Sequence, residues 1–483
     1  MADKRAFFGT IALSSVNVAR LGLQLLIVPI LARILGPDAF GLLGLAMPFI
    51  FLAGIMSDAG MGNALVRHPN PSLQLEATVF WLALGVGTSL ALVVCLLAPV
   101  LAAAFAQPKL APVLMALSLV LVLASSLAVS NARIIRARNF AVFAIGEVFS
   151  LVLSATVGIY AALNDFGFWS LVIQQLVLWI TKTLWLFPVS KFQPAFFCRP
   201  ALARPYMHFS LNSVAASLAD FAGKSMPSLV VGGSLGVTLL GHYSMAYQLT
   251  RVPEMVISGP VYLSTFAAVA RVEGKDAARP LVLSSLRMML LALALLFCGL
   301  YFSADVVIQL LLGPKWAATA PILAALAPAG FFLCLYSFMG AVLLGLGNSA
   351  RQFMLTALCG IAMFVGALLG TRFDINGVAI GISVGAALLA PFYLNAIAAE
   401  MRLNGAMLLS VLLPPLAATA LMASVMIAIH GELAQLGVET QLLAIIVAGT
   451  LSFAAAIALT GGRRFVEDLK YFRPWGPREI GVD

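Results

Sequence analysis

Long apolar runs, separated by short polar gaps, fill almost the whole chain. Bounded by charges, prolines and glycines, they fall near 8–33, 40–66, 78–105, 111–131, 141–163, 166–188, 209–235, 240–266, 281–312, 317–345, 352–373, 375–399, 406–430 and 440–460. A helix needs about 20 apolar residues to cross a bilayer, so the pattern predicts about fourteen transmembrane helices. A polar segment at 190–205 separates the first six runs from the last eight, and the stretch from Gly461 onward is charged. The expected organisation is a six-helix bundle over 1–188, a linker over 189–206 and a second six-helix bundle over 207–402. Two additional helices over 403–460 and a tail over 461–483 complete it.

Composition makes lipid the solvent. Of the 483 residues 62% are hydrophobic and 10% charged, against about 25% charged in a soluble domain. The fold class expected is therefore an all-α membrane protein. The net charge of +9 does not point to nucleic acid, because the basic residues recur in the gaps between runs instead of clustering on one face. If the N-terminus is cytoplasmic, twenty Lys and Arg lie on the inner side, four on the outer side and four within runs. That asymmetry predicts cytoplasmic termini, in an inner membrane. The first run is too long for a signal peptide. Four of five cysteines lie inside apolar runs, and the four histidines are scattered, so neither a disulfide framework nor a metal site is expected. No gap exceeds roughly 20 residues, which leaves no room for a soluble catalytic domain.

An internal repeat sharpens the picture. Residues 35–46 read LGPDAFGLLGLA and residues 235–246 read LGVTLLGHYSMA, matching at Leu, Gly, Gly and Ala with an offset of 200. The first run then corresponds to the seventh in the same direction, the signature of two parallel bundles. The first run carries Asn17, Arg20 and Gln24 on one helical face; the seventh carries Ser217, Asp220 and Lys224 at the same positions shifted by 200. Arg251 and Glu254 sit near the middle of the eighth.

Ionisable groups at mid-membrane are costly and need a reason. Asp220–Lys224 and Arg251–Glu254 are either ion pairs that hold helices together or the lining of a water-filled central cavity. In the second reading Arg20, Lys224 and Arg251 outnumber Asp220 and Glu254, and a net-positive cavity suits a phosphate or pyrophosphate headgroup. Lys182 and Arg287 lie where long side chains reach the interface. Asp58 and Glu147 have short side chains, and for them a packing or capping role and a functional one stay open. Pro48, Pro253 and Pro260 fall in corresponding runs and permit bends. Trp81, Trp169, Trp179, Trp185 and Trp316 read as interfacial anchors.

The opening VNVARLGLQLLIVPILARILGPDAFGLLGLA and the following SDAGMGNALVRH resemble the N-terminal signature of bacterial polysaccharide-export flippases. These are the Wzx-like members of the multidrug/oligosaccharidyl-lipid/polysaccharide exporter superfamily. NARIIRARNF, GFWSLVIQQL and SLGVTLLGHYSMAYQLTRVPEMVISGPVYLSTFAAVARV are similar to the same family, so the likeness extends through the eighth run. It implies two six-helix bundles in a V around a central cavity, and translocation of undecaprenyl-pyrophosphate-linked oligosaccharide from the cytoplasmic to the outer leaflet.

The residues expected at the headgroup are Arg20, Lys224 and Arg251, with Asn17, Gln24 and Ser217 along the glycan. Asp58, Glu147, Asp220 and Glu254 are candidates for proton or sodium coupling; no other cofactor is expected. Expected partners are membrane lipid, the lipid-linked oligosaccharide, and polymerase and chain-length or export proteins of the same pathway. Two rivals stay open: a multidrug or cation antiporter of the same superfamily, which the basic excess disfavours, and a membrane polysaccharide polymerase, which the short outer loops disfavour.

Overall fold

Lipid offers the backbone no hydrogen-bond partner, so a spanning segment must satisfy its own amides. The computed structural model describes residues 22–58, 65, 71–137, 139–202, 218, 221, 225–271, 274–433 and 436–471. Every regular element among them is helical. The helices are α1 (Gly22–Leu35), α2 (Pro37–Asp58), α3 (Leu73–Ala104), α4 (Leu110–Ser126), α5 (Ala128–Arg136), α6 (Phe140–Leu163), α7 (Trp169–Val189) and α8 (225–234). After them come α9 (Val237–Pro253), α10 (Gly259–Arg271), α11 (Lys275–Leu311), α12 (Thr319–Gly345), α13 (Ser349–Gly370), α14 (Ile375–Ala387), α15 (Ala390–Met401), α16 (Gly405–Leu433) and α17 (Val438–Tyr471).

Among the described residues, eleven helical segments are long and apolar enough to cross a membrane, and each falls on one of the fourteen expected runs. The remaining three are the first, seventh and eighth. The first and seventh lie partly outside the described residues, and the eighth is α9 and α10 joined by a π-helical turn, Glu254–Ser258. Exposed Leu92, Leu96 and Val100 recur every fourth residue along α3, the stripe a lipid-facing helix shows. Trp316 departs from expectation. It is fully buried in the turn between α11 and α12, so it fills the interior and is not an interfacial anchor. Helix α17 continues into the charged C-terminal stretch as far as Tyr471.

The chain forms two compact units, Met1–Met245 and Ala246–Asp483. In the second, α16 and α17 pack through Ala418, Met422, Met426, Ile445 and Phe453 on Leu291 and Ala294 of α11. Helices α13 and α14 meet backbone to backbone, since a methyl group on Gly366 or Gly381 would overlap the other's carbonyl. Such contacts suit a membrane, where close van der Waals approach replaces the hydrophobic drive.

Within the first unit the sequence repeat becomes a contact. Gly36 and Gly236 both take positive φ, 76° and 91°, a conformation that costs glycine little. Each lets one helix end and the next begin at once. The two corners then pack on each other. Gly41 faces the Val237 carbonyl, Gly241 faces the Pro37 carbonyl, and Thr238 donates to Asp38 at 2.5 Å. The matching glycines are thus the places where α2 and α9 touch.

Gly41→Ala and Gly241→Ala should each destabilise the protein by about 1–3 kcal/mol, the usual cost of overpacking. Gly85→Ala, which meets open space, should be neutral or slightly stabilising. Thermal unfolding of the detergent-solubilised protein checks all three.

Candidate functional site

The sequence-predicted site divides by what the structure describes. Asn17, Arg20, Ser217, Asp220 and Lys224 lie outside the described residues, and so does the side chain of Asp58, whose backbone ends α2. Gln24 is on α1 and half-buried. The described candidates form two separate ion pairs, one in each unit.

The first pair is Glu147 of α6 with Lys182 of α7, whose Nζ lies 2.8 Å from Glu147 Oε1. Both side chains are largely buried, and the Lys182 ammonium sits 5.2 Å from the centre of the Trp179 ring. Lys182 therefore finds its counter-charge on the neighbouring helix instead of reaching outward alone. A paired acid and base at this depth cost far less than either one would singly.

In the second unit, Arg251 Nε lies 3.4 Å from Glu254 Oε2, one turn along the chain. Despite that closeness Nε makes no hydrogen bond, so the attraction between the two is charge alone. Arg251 also lies over the Tyr247 ring at 5.9 Å. Both charged side chains keep about a third of their surface exposed. The π turn begins at Glu254 and has a cause in the sequence. Pro253 and Pro260 lack amide protons, so the regular ladder is interrupted on either side of Glu254–Ser258. Such wide turns recur at functional positions. Ser258, at the far end of the turn, is buried beside the Cys334 thiol of α12.

A third cluster was not singled out from the sequence. Glu76, in the first turn of α3 and only 2% exposed, accepts from Arg133 Nε at 2.9 Å and from Arg136 Nη2 at 2.8 Å. Arg133 reaches on to the Lys191 carbonyl at 2.9 Å and lies over the Phe192 ring at 5.1 Å. One buried carboxylate thus ties the start of α3 to α5 and to the chain after α7. The available signal was Glu76 just ahead of the apolar run that begins near 78, together with Arg133 and Arg136 spaced i, i+3 on one face. The second unit closes its corresponding helix ends differently. There Asn348 donates to Glu400 at 2.7 Å, Arg351 pairs with Glu400 at 3.5 Å, and Arg279 donates to the Met401 carbonyl at 2.8 Å. Asp276, offset by 200 from Glu76, is exposed and pairs locally with Arg279.

Among the described residues no cluster of His, Cys, Asp and Glu could hold a metal ion. Glu76 is held by two guanidinium groups through hydrogen bonds, whereas Arg251 Nε approaches Glu254 without one.

Breaking these pairs one-sidedly should be costly, because a charge is left buried. Glu76→Gln should lose about 3 kcal/mol or more of stability. Glu147→Gln and Lys182→Met should each destabilise, and the double variant should cost less than their sum. Denaturant or thermal unfolding of the four proteins measures that coupling directly.

A family model described as polysaccharide biosynthesis protein matches residues 30–321. The succinoglycan biosynthesis transport protein ExoT of Rhizobium meliloti is 28% identical over 333 residues, covering 69% of this chain and 67% of its own. The lipopolysaccharide biosynthesis protein WzxC of Escherichia coli is 25% identical over 342 residues, covering 68% and 67%. Among solved structures, the lipid II flippase MurJ in an inward closed conformation superimposes with a TM-score of 0.73. The alignment has 15% identity and covers 95% of this chain and all of that one, which supports the fold alone. The match over more than half its length shows that this chain belongs to the polysaccharide biosynthesis protein family of multi-pass membrane proteins.

Proposed function

We propose that the protein is a flippase that carries undecaprenyl-pyrophosphate-linked oligosaccharide repeat units across the bacterial inner membrane by alternating access. The family match and the transport function in the name of ExoT favour this reading over an enzyme or a drug antiporter. The observation that carries it is the Arg251–Glu254 pair at the π turn, a mid-helix guanidinium bound to its acid by charge without a hydrogen bond. Arginine's planar fork can bind phosphate oxygens bidentately, and Arg251 Nε makes no hydrogen bond to Glu254.

Arg20 and Lys224 join Arg251 at the headgroup in this reading, and Asn17, Gln24 and Ser217 meet the glycan. Glu254 is the coupling group nearest to Arg251, with Asp58, Asp220 and Glu147 as the other candidates. A proton or sodium ion on Glu254 would remove the competing charge and release Arg251 to the substrate. No other cofactor is needed. The Lys and Arg asymmetry of the loops supports cytoplasmic termini. Working partners are a polymerase and the chain-length or export proteins that act on the flipped unit.

Depleting the protein should make lipid-linked oligosaccharide accumulate on the cytoplasmic leaflet, as measured by its accessibility to an impermeant periodate or lectin probe. Unpolymerised units accumulating on the outer face would assign a polymerase instead; no change in either would favour the antiporter. Arg251→Gln, and Arg20→Gln combined with Lys224→Gln, should each cut polymer export at least about tenfold at unchanged protein level. Loss of one charge-assisted contact, about 1.5–3 kcal/mol, is enough for that. Full export by both variants would sink the site assignment.

A further inference from the structure

The segment after α7 is a strap laid on α3. Phe192 is buried against Phe80 and Phe187. Beyond it the Trp81 indole donates to the Ala195 carbonyl at 2.8 Å, and the Arg199 amide donates to Thr78 Oγ1 at 3.2 Å. The Phe196 ring stacks on Trp81 at 5.6 Å, yet the residue is 96% exposed. Lys191, Cys198 and Arg199 are exposed as well.

Helix length fixes the depth of this strap. Helix α3 has 32 residues and is about 48 Å long at 1.5 Å per residue, against a hydrocarbon core of about 30 Å. Its lipid-facing stripe runs through Leu92, Leu96 and Val100 toward Ala104. Counting about 20 residues back from that end puts the edge of the hydrocarbon near Gly85. Thr78 and Trp81 then stand on turns at headgroup level, and the strap bonded to them lies at the same level. A nearly bare phenylalanine is unfavourable in water but suits the interfacial belt, where aromatic rings are enriched.

We propose that residues 191–199 form a membrane-surface anchor that binds anionic phospholipid headgroups. Phe196 and Trp81 enter the interface while Lys191 and Arg199 meet the phosphates. The Glu76–Arg133–Arg136 cluster fixes the base of the strap through the Lys191 carbonyl, so the anchor is rigidly joined to the helix ends of the first unit. This inference does not depend on what the protein transports.

Cys198 is the exposed cysteine of the five and reports on the strap from within. The full-length protein would be labelled there with a polar maleimide fluorophore and placed in nanodiscs. Trace phosphatidylglycerol or phosphatidylcholine carrying a nitroxide near the headgroup then serves as quencher. At low salt the anionic quencher should be several-fold more effective, with about fivefold expected per basic side chain. The preference should collapse at high salt and in Lys191→Gln/Arg199→Gln, whereas Phe196→Ala should weaken quenching by both lipids alike. All three substitutions are on exposed side chains, and the comparison of lipids needs none of them. Equal quenching by the two lipids, or dominant quenching by aqueous iodide, would overturn the proposal; the latter would leave the strap free for a protein partner.

Discussion

A backbone crossing lipid has no water to bond to, and the rest of this structure follows from that constraint. Each spanning segment closes its hydrogen bonds internally, so helix is the only regular element among the described residues. Where the chain departs from the α-helix, the departure has a local cause. Glycines at 36 and 236 allow the helix-to-helix corners. Prolines at 253 and 260 flank the π turn, each lacking the amide that a regular turn needs.

Helices that already satisfy their own backbones must still find one another without a hydrophobic drive, and here two devices serve. One is close approach: Gly41 and Gly241 let α2 and α9 meet, and a row of glycines does the same for α13 and α14. The other is the paired charge. Glu147–Lys182 joins two helices inside the first unit, and Glu76 gathers two arginines at its rim. Replacing such a pair by an apolar equivalent often costs little, but leaving half of it is expensive. Fixed pairs of this kind set which helices belong together.

Arg251 and Glu254 stand apart from those fixed pairs. Their contact runs along one helix instead of between two, and it lacks a hydrogen bond. About two thirds of each of the two side chains is covered, and Arg251 also lies over the Tyr247 ring. The strap on α3 has the opposite character, being anchored at Phe192, Ala195 and Arg199 by buried aromatic contact and backbone hydrogen bonds.

The spacing of apolar runs determined the helical class and the position of every span that the structure describes. The reason is that a hydrocarbon layer of about 30 Å sets a minimum run length that few other constraints imitate. The internal repeat also marked a true correspondence, since its glycines are conformational necessities that a sequence displays directly. The pairing of charges was not legible in that way. Spacing along one helix suggested Arg251 with Glu254, but Glu147 with Lys182 and Glu76 with Arg133 and Arg136 join groups far apart in the chain. Sequence shows which charges sit in apolar surroundings; only the packed helices decide which of them face one another. Trp316 teaches the same lesson, because a helix end can be covered by its own bundle as readily as by lipid headgroups. The linker after α7 looked merely polar, and its docking on α3 was decided by Phe192 and Trp81 finding partners that no local pattern announces.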